Sequence, residues 1–76
     1  MAVKIHLYGQ LKQIAGVSEL TSDASDTDGL MKEMNSRFPG IEKLKYLIAV
    51  NRNVIQVNTS IEEGEELALL PPYSGG

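Results

Sequence analysis

Residues 3–8 read Val3-Lys4-Ile5-His6-Leu7-Tyr8, a strict alternation with Val3, Ile5 and Leu7 on one face and Lys4, His6 and Tyr8 on the other. Successive side chains of an extended chain point to opposite sides, so this is a strand with one face in a core and one toward water. After Gly9, residues 10–14 form a short connector closed by Gly16. Residues 17–21 (VSELT) alternate again, with Val17, Glu19 and Thr21 on one face, and predict a second strand antiparallel to the first. Residues 22–28 (SDASDTD) are a polar loop rich in capping types, in which Asp26 or Thr27 can accept the first free backbone N–H groups of a helix. Asp28 suits the positive end of the helix dipole, and Leu30, Met31, Met34 and Phe38 make one buried stripe. Pro39 disfavours a helical Phe38 and Gly40 completes the stop, so the helix spans about residues 27–38.

Beyond a second connector at residues 41–45, YLIAVN (46–51) and VIQV (54–57) flank Arg52 and Asn53, predicting two short strands around a tight turn. Asn51 and Asn53 tolerate the left-handed backbone such turns use. IEEGEE (61–66) bends at Gly64, LALL (67–70) is the last strand, and Pro71 and Pro72 end it because proline cannot donate to a sheet ladder. The order strand, strand, helix, strand, strand, strand implies a two-layer α+β domain. The helix stripe would pack on Val3, Ile5, Leu7, Ile48, Val50, Ile55, Val57, Leu67 and Leu69. The opposite sheet face carries Lys4, His6, Tyr8, Val54, Gln56, Ala68 and Leu70; its apolar members Tyr8, Val54 and Leu70 are a candidate partner surface.

Composition narrows the function. Seventy-six residues fill one small core, with 1–71 as the domain and 72–76 as a flexible tail. Seven basic against ten acidic residues give a net charge of −3, which suits neither nucleic acid nor an anionic membrane and favours a basic partner surface. There is no cysteine, and His6 alone builds no metal site. Glu62, Glu63, Glu65 and Glu66 lack the spacing of a calcium loop, and no phosphate-binding glycine loop is present. No run approaches the ~18 apolar residues of a membrane span, and the expected location is the cytoplasm. The inventory holds no nucleophile with a companion base.

What remains is the end of the chain. Gly76 offers an α-carboxylate that is ionised and unreactive toward nucleophiles at neutral pH, so a second protein must activate it. Gly75 and Gly76 lack Cβ atoms and can thread a narrow groove, and five residues from Pro72 reach about 16 Å.

The opening VKIHLYGQLKQIAG, the turn IEEGEEL (61–67) and the ending LLPPYSGG resemble the ThiS/MoaD family of ubiquitin-like proteins, on the branch of the small sulfur-carrier subunits of molybdopterin synthase. The resemblance covers essentially the whole chain. It implies a β-grasp fold, a mixed sheet on one main helix with the first and last strands parallel in its middle. It also implies that an E1-like adenylating enzyme uses ATP on the Gly76 carboxylate and that a sulfur donor converts the adenylate to a thiocarboxylate. The large catalytic subunit of molybdopterin synthase would then receive the sulfur to form the dithiolene of molybdopterin. On this reading the chain is a non-catalytic carrier that binds no cofactor itself. Gly75 and Gly76 are the transferable end, Tyr8, Val54 and Leu70 contact partners, and Pro71, Pro72, Tyr73 and Ser74 enter the partner's groove. Glu65 stands where the family's turn usually has Asp, and Leu69 and Leu70 replace a common aromatic pair. A carrier for thiamine thiazole synthesis, a ubiquitin-like protein modifier and a pure adaptor are the alternatives; Pro71 and Pro72 favour the molybdopterin branch over the thiamine one.

Overall fold

Strand β1, Val3–Leu7, carries out the alternation of its sequence: Val3, Ile5 and Leu7 are buried, Lys4 is exposed and His6 half-buried. This is seen in a computed structural model that describes residues 2–72. Helix α1 (Gln10–Ala15), β2 (Glu19–Ser22), helix α2 (Thr27–Arg37), a 3-10 turn (Ile41–Leu44), β3 (Leu47–Val50), β4 (Asn53–Val54) and β5 (Glu66–Leu70) follow. The five strands form one sheet in the order β2-β1-β5-β3-β4, with β1 and β5 parallel and the other neighbours antiparallel. The first and last strands thus lie side by side inside the sheet, and the fold is the ubiquitin-like β-grasp that the resemblance implied.

The core sits on the sheet face covered by α2. Ile5, Leu67 and Leu69 from the central strands meet Leu30 and Met34 of α2, all fully buried. Asp26 caps α2, its Oδ1 accepting the Gly29 N–H at 2.8 Å. That bond, with a second from Asn58, holds the Asp26 carboxyl below the usual carboxylate range. The cap network extends to Thr27, which donates its N–H to the Thr59 carbonyl (2.9 Å) and accepts the Thr59 N–H on Oγ1 (2.9 Å). The segment after β4 is thereby clasped to the start of the helix.

Several expectations are corrected. Residues 10–14 are not a bare connector: they lie in α1, whose Leu11 is fully buried and whose end is closed by Gly16 at φ 77°. Six residues with one buried side chain leave no periodic signature to read. β2 starts only at Glu19, and Val17 is exposed; the inward positions are Leu20, partly buried against the core, and Ser22. Met31 is 40% exposed, so the α2 stripe is Thr27, Leu30 and Met34 with Phe38 at its margin. A helix against one sheet face buries a single stripe, and Met31 lies about 100° around the helix from Leu30. The 46–51/54–57 hairpin is shorter than expected and turns one residue earlier, at Asn51 and Arg52, both with positive φ (51° and 72°). Asn51 pins this turn to β5 by accepting the Glu66 N–H on Oδ1 (3.0 Å) and donating its own N–H to the Glu66 carbonyl (2.7 Å). β4 ends at Val54, and Val57, expected in the core, is 74% exposed because the chain swings out to the clasp at Thr59.

The volume these residues leave is filled by Leu11, Ile41, Tyr46 and Ile61. Tyr46 is only 6% exposed, and its hydroxyl donates to Asn35 Oδ1 at 3.0 Å. Burial, with a smaller push from Glu42, raises its phenol from 10.0 to about 12. The folded state therefore resists ionising a group that the unfolded chain ionises near its ordinary value. The associated stability is fully present below that value and is lost as pH rises toward 12. Tyr46→Phe should lower unfolding free energy at neutral pH by about 1 kcal/mol in urea titrations. The same titrations run from neutral pH upward should show the wild type losing stability relative to Tyr46→Phe; parallel pH curves would contradict the assignment.

Candidate functional site

The uncovered face of the sheet follows from register. Ala68 of β5 pairs with His6 of β1 on one side and Ala49 of β3 on the other, and Ala49 pairs in turn with Val54 of β4. Leu70 pairs with Leu47. Because Leu67 and Leu69 point into the core, Ala68 and Leu70 must point away from it, and every residue in register with them shares that side. Tyr8, Leu47, Ala49, Val54, Ala68 and Leu70 thus form one apolar surface, with Tyr8 51%, Val54 47% and Leu47 37% exposed.

The two central alanines give this surface its shape. Ala49 and Ala68 floor a shallow depression of about 360 Å³ walled by Tyr8, Leu70, Arg52 and Glu66. Polar groups rim it: Arg52 Nε lies 3.8 Å from Glu66 Oε1, and Lys4 Nζ lies 3.4 Å from Glu19 Oε2. His6 Nδ1 faces Glu19 Oε1 at 3.7 Å on the same side of the sheet. No group of three or more His, Cys, Asp or Glu side chains is arranged to hold a metal ion among the described residues. An apolar floor with a charged rim is the anatomy of a protein-binding surface.

Tyr8, Val54 and Leu70 are brought together on this face as the alternation predicted. Gln56 is not; it lines a groove between α2 and the segment after β4 with Met31 and Val57, which meets the open face at Leu47. Leu47, Ala49 and Arg52 are site residues that the sequence reading missed. Leu47 and Ala49 were legible in principle, since Ile48 and Val50 facing inward sends both outward. Arg52 was not, because its place depends on which two residues make the turn. Pro71 is half-buried at the end of β5 and Pro72 is exposed. Tyr73, Ser74, Gly75 and Gly76, four of the five residues of the expected 72–76 tail, lie outside the described residues. No helix among the described residues is long and apolar enough to cross a membrane.

The family model described as the ThiS family matches residues 5–76. The chain is 28% identical to the molybdopterin synthase sulfur carrier subunit of Arabidopsis thaliana, over 97% of this chain and 82% of that protein. Among solved structures it is similar to small archaeal modifier protein 1 from Methanosarcina acetivorans, with a TM-score of 0.83 and 22% identity over 99% of this chain and 96% of that one, a likeness that shows the fold. It is also similar to a chain in the complex of subunits 1 and 2 of molybdopterin-converting factor from Helicobacter pylori, with a TM-score of 0.76 and 28% identity over all of both chains.

Leu69 and Leu70 are neighbours of one residue type on opposite faces, which makes them a direct test of the site. Leu70→Glu should leave the unfolding free energy within about 0.5 kcal/mol of wild type, whereas Leu69→Glu places a carboxylate in the core and should cost more than about 4 kcal/mol. Thermal and urea unfolding of the two variants measure this; equal losses would mean that Leu70 is not on the open face.

Proposed function

The chain belongs to the ThiS family, and from that membership we propose that it is a sulfur carrier, acting as the small subunit of a molybdopterin synthase. The observation that carries the proposal is the apolar face at the end of β5, which continues in sequence into LLPPYSGG. The relative of this chain from Arabidopsis and the complex from Helicobacter pylori, both 28% identical, support the molybdopterin branch over the thiamine one. The likeness to an archaeal modifier, at 22% identity, concerns the fold and does not favour a modifier role.

Gly76 would be the reacting residue. A carboxylate resists nucleophiles because its leaving group would be an oxide, and activation replaces that group. An E1-like enzyme would supply ATP: a Gly76 oxygen attacks the α-phosphorus, pyrophosphate departs, and an acyl adenylate remains. A donor then delivers sulfide-level sulfur (as hydrosulfide) to the acyl carbon, AMP leaves, and the C–S bond of a thiocarboxylate stands where the C–O bond to AMP was. The thiocarboxylate sulfur forms a C–S bond to the substrate held by the large subunit, displacing a leaving group there. Water then cleaves the acyl C–S bond, so that the sulfur stays on the substrate and Gly76 returns as a carboxylate ready for another cycle. Gly75 and Gly76 suit delivery into a narrow site because they have no side chains. The domain itself contributes recognition, with Tyr8 and Leu70 at the Ala49–Ala68 depression and Val54 in register with Ala49 receiving the partners, and its net charge of −3 would suit basic surface beside their grooves.

Intact mass spectrometry after incubation with the cognate activating enzyme, ATP and a sulfur source should show a gain of about 16 Da, one oxygen replaced by sulfur. An unchanged mass, together with full function of a chain lacking Gly76, would sink the reading. Leu70→Glu should raise the Kd for the large subunit at least about tenfold while leaving the melting temperature in place, since it alters the face and not the core.

A further inference from the structure

The parallel register of β1 and β5 ends with Leu7 beside Leu69, and two residues farther along each chain Gly9 lies against Pro71. Gly9 has φ 60° and ψ −135°, the mirror image of the polyproline conformation, a region that L side chains avoid and glycine enters freely. The space on that side of Gly9 is already taken: an L-Cβ placed there would stand 3.0 Å from Cγ and 4.0 Å from Cδ of Pro71. The backbone around Gly9 is held on both sides. β1 ends at Leu7, and the Tyr8 and Gly9 carbonyls accept the N–H groups of Leu11 (3.2 Å) and Lys12 (3.1 Å) at the start of α1. Pro71 contributes a locked φ and no N–H, so the sheet ladder stops at Leu70. A ring of fixed torsion therefore rests on a bare α-carbon that is itself rigidly held.

We propose that Gly9 is a positioning residue for the sulfur-transfer reaction, acting through Pro71: the seat of the Pro71 ring on Gly9 sets the direction in which the chain leaves the sheet toward the reactive end. The role rests on the carrier reading above. It differs from that of Tyr8 and Leu70, which flank the seat and bind partners. A protein docked by that face but with a misaimed chain exit still binds, and its terminus fails to arrive in register with the activating site. Misplacement of a reacting group costs rate more than affinity.

The test is a double-mutant cycle on the full-length chain, using Gly9→Ala, Pro71→Ala and the double variant as substrates for the activating enzyme in ATP-dependent thiocarboxylation. Each single variant should lower kcat about tenfold with KM within about twofold of wild type, and the double variant should lose about tenfold in total instead of the roughly hundredfold of independent effects. The backbone strain of alanine at a positive φ is present whichever residue occupies position 71, so it cancels from the coupling. Losses that multiply, or a raised KM with unchanged kcat, would overturn the seat. Should Gly9→Ala not fold, Pro71→Ala is compared with Pro72→Ala, which removes a fixed torsion next to the seat, and a kcat loss no larger at Pro71 than at Pro72 would overturn the seat. Independently of activity, NMR should show a nuclear Overhauser contact between the Gly9 α-protons and the Pro71 ring in the wild type, and its absence would also overturn the seat. A wild type that is never thiocarboxylated removes the carrier reading and the role with it, whereas an active wild type with multiplying losses removes the seat alone.

Discussion

The parallel pairing of β1 with β5 is the constraint on which the rest of the molecule depends. Parallel neighbours cannot be joined by a tight turn, so everything between Leu7 and Glu66 must cross over and come back in the same direction. Helix α2 lies on that crossover and covers one face of the sheet, and its Leu30 and Met34 seal the apolar side chains of the two central strands. β2 and the β3–β4 hairpin extend the sheet outward from this pair. The pairing also brings the ends of β1 and β5 to one edge of the molecule, which is why Tyr8, Leu70 and the Gly9–Pro71 contact are neighbours.

One helix covers one face, so the other is left to water or to a partner. A domain this small has no second layer with which to hide apolar residues. The bare face is not uniformly apolar. Ion pairs such as Lys4–Glu19 and Arg52–Glu66 hold its margin, while alanines lower its middle and leave room for a protruding side chain. The carrier role proposed for the chain would need little more than this: a shape that larger enzymes recognise and a fixed place from which the reactive end departs.

Legibility of the fold tracked the length of each periodic signal. Val3 to Leu7 and Leu67 to Leu70 were readable because alternation reports both conformation and face, although β5 opens one residue earlier, at Glu66, which the sequence assigns to the turn. The main helix was readable from Asp26, Leu30, Met34 and the Pro39-Gly40 stop. α1 was hidden because it buries only Leu11. Val57 and Met31 were misassigned for a related reason: apolar character states a preference for burial, while the clasp of Thr59 onto Thr27 and the single stripe of α2 decide who obtains it. Tyr46 and Ile61 belong to the core although nothing in their neighbourhoods marks them, because they fill volume left by elements distant in sequence. Of the candidate site, Tyr8, Val54 and Leu70 were legible from alternation, and Arg52 was not.

By itself, the sequence determined the two-layer α+β class, the inward and outward faces of the first and last strands, the absence of thiol chemistry and the resemblance carried by LLPPYSGG. These are local or compositional properties, set by side-chain alternation and by which functional groups the chain possesses. Only the tertiary structure decided that Ala49 and Ala68 lie side by side under a depression, that the hairpin turns at Asn51 and Arg52, and that Pro71 rests on Gly9. Those facts depend on register between strands far apart in the chain. A one-residue slip in any pairing would invert the faces, and no local pattern records which slip the packed core forbids.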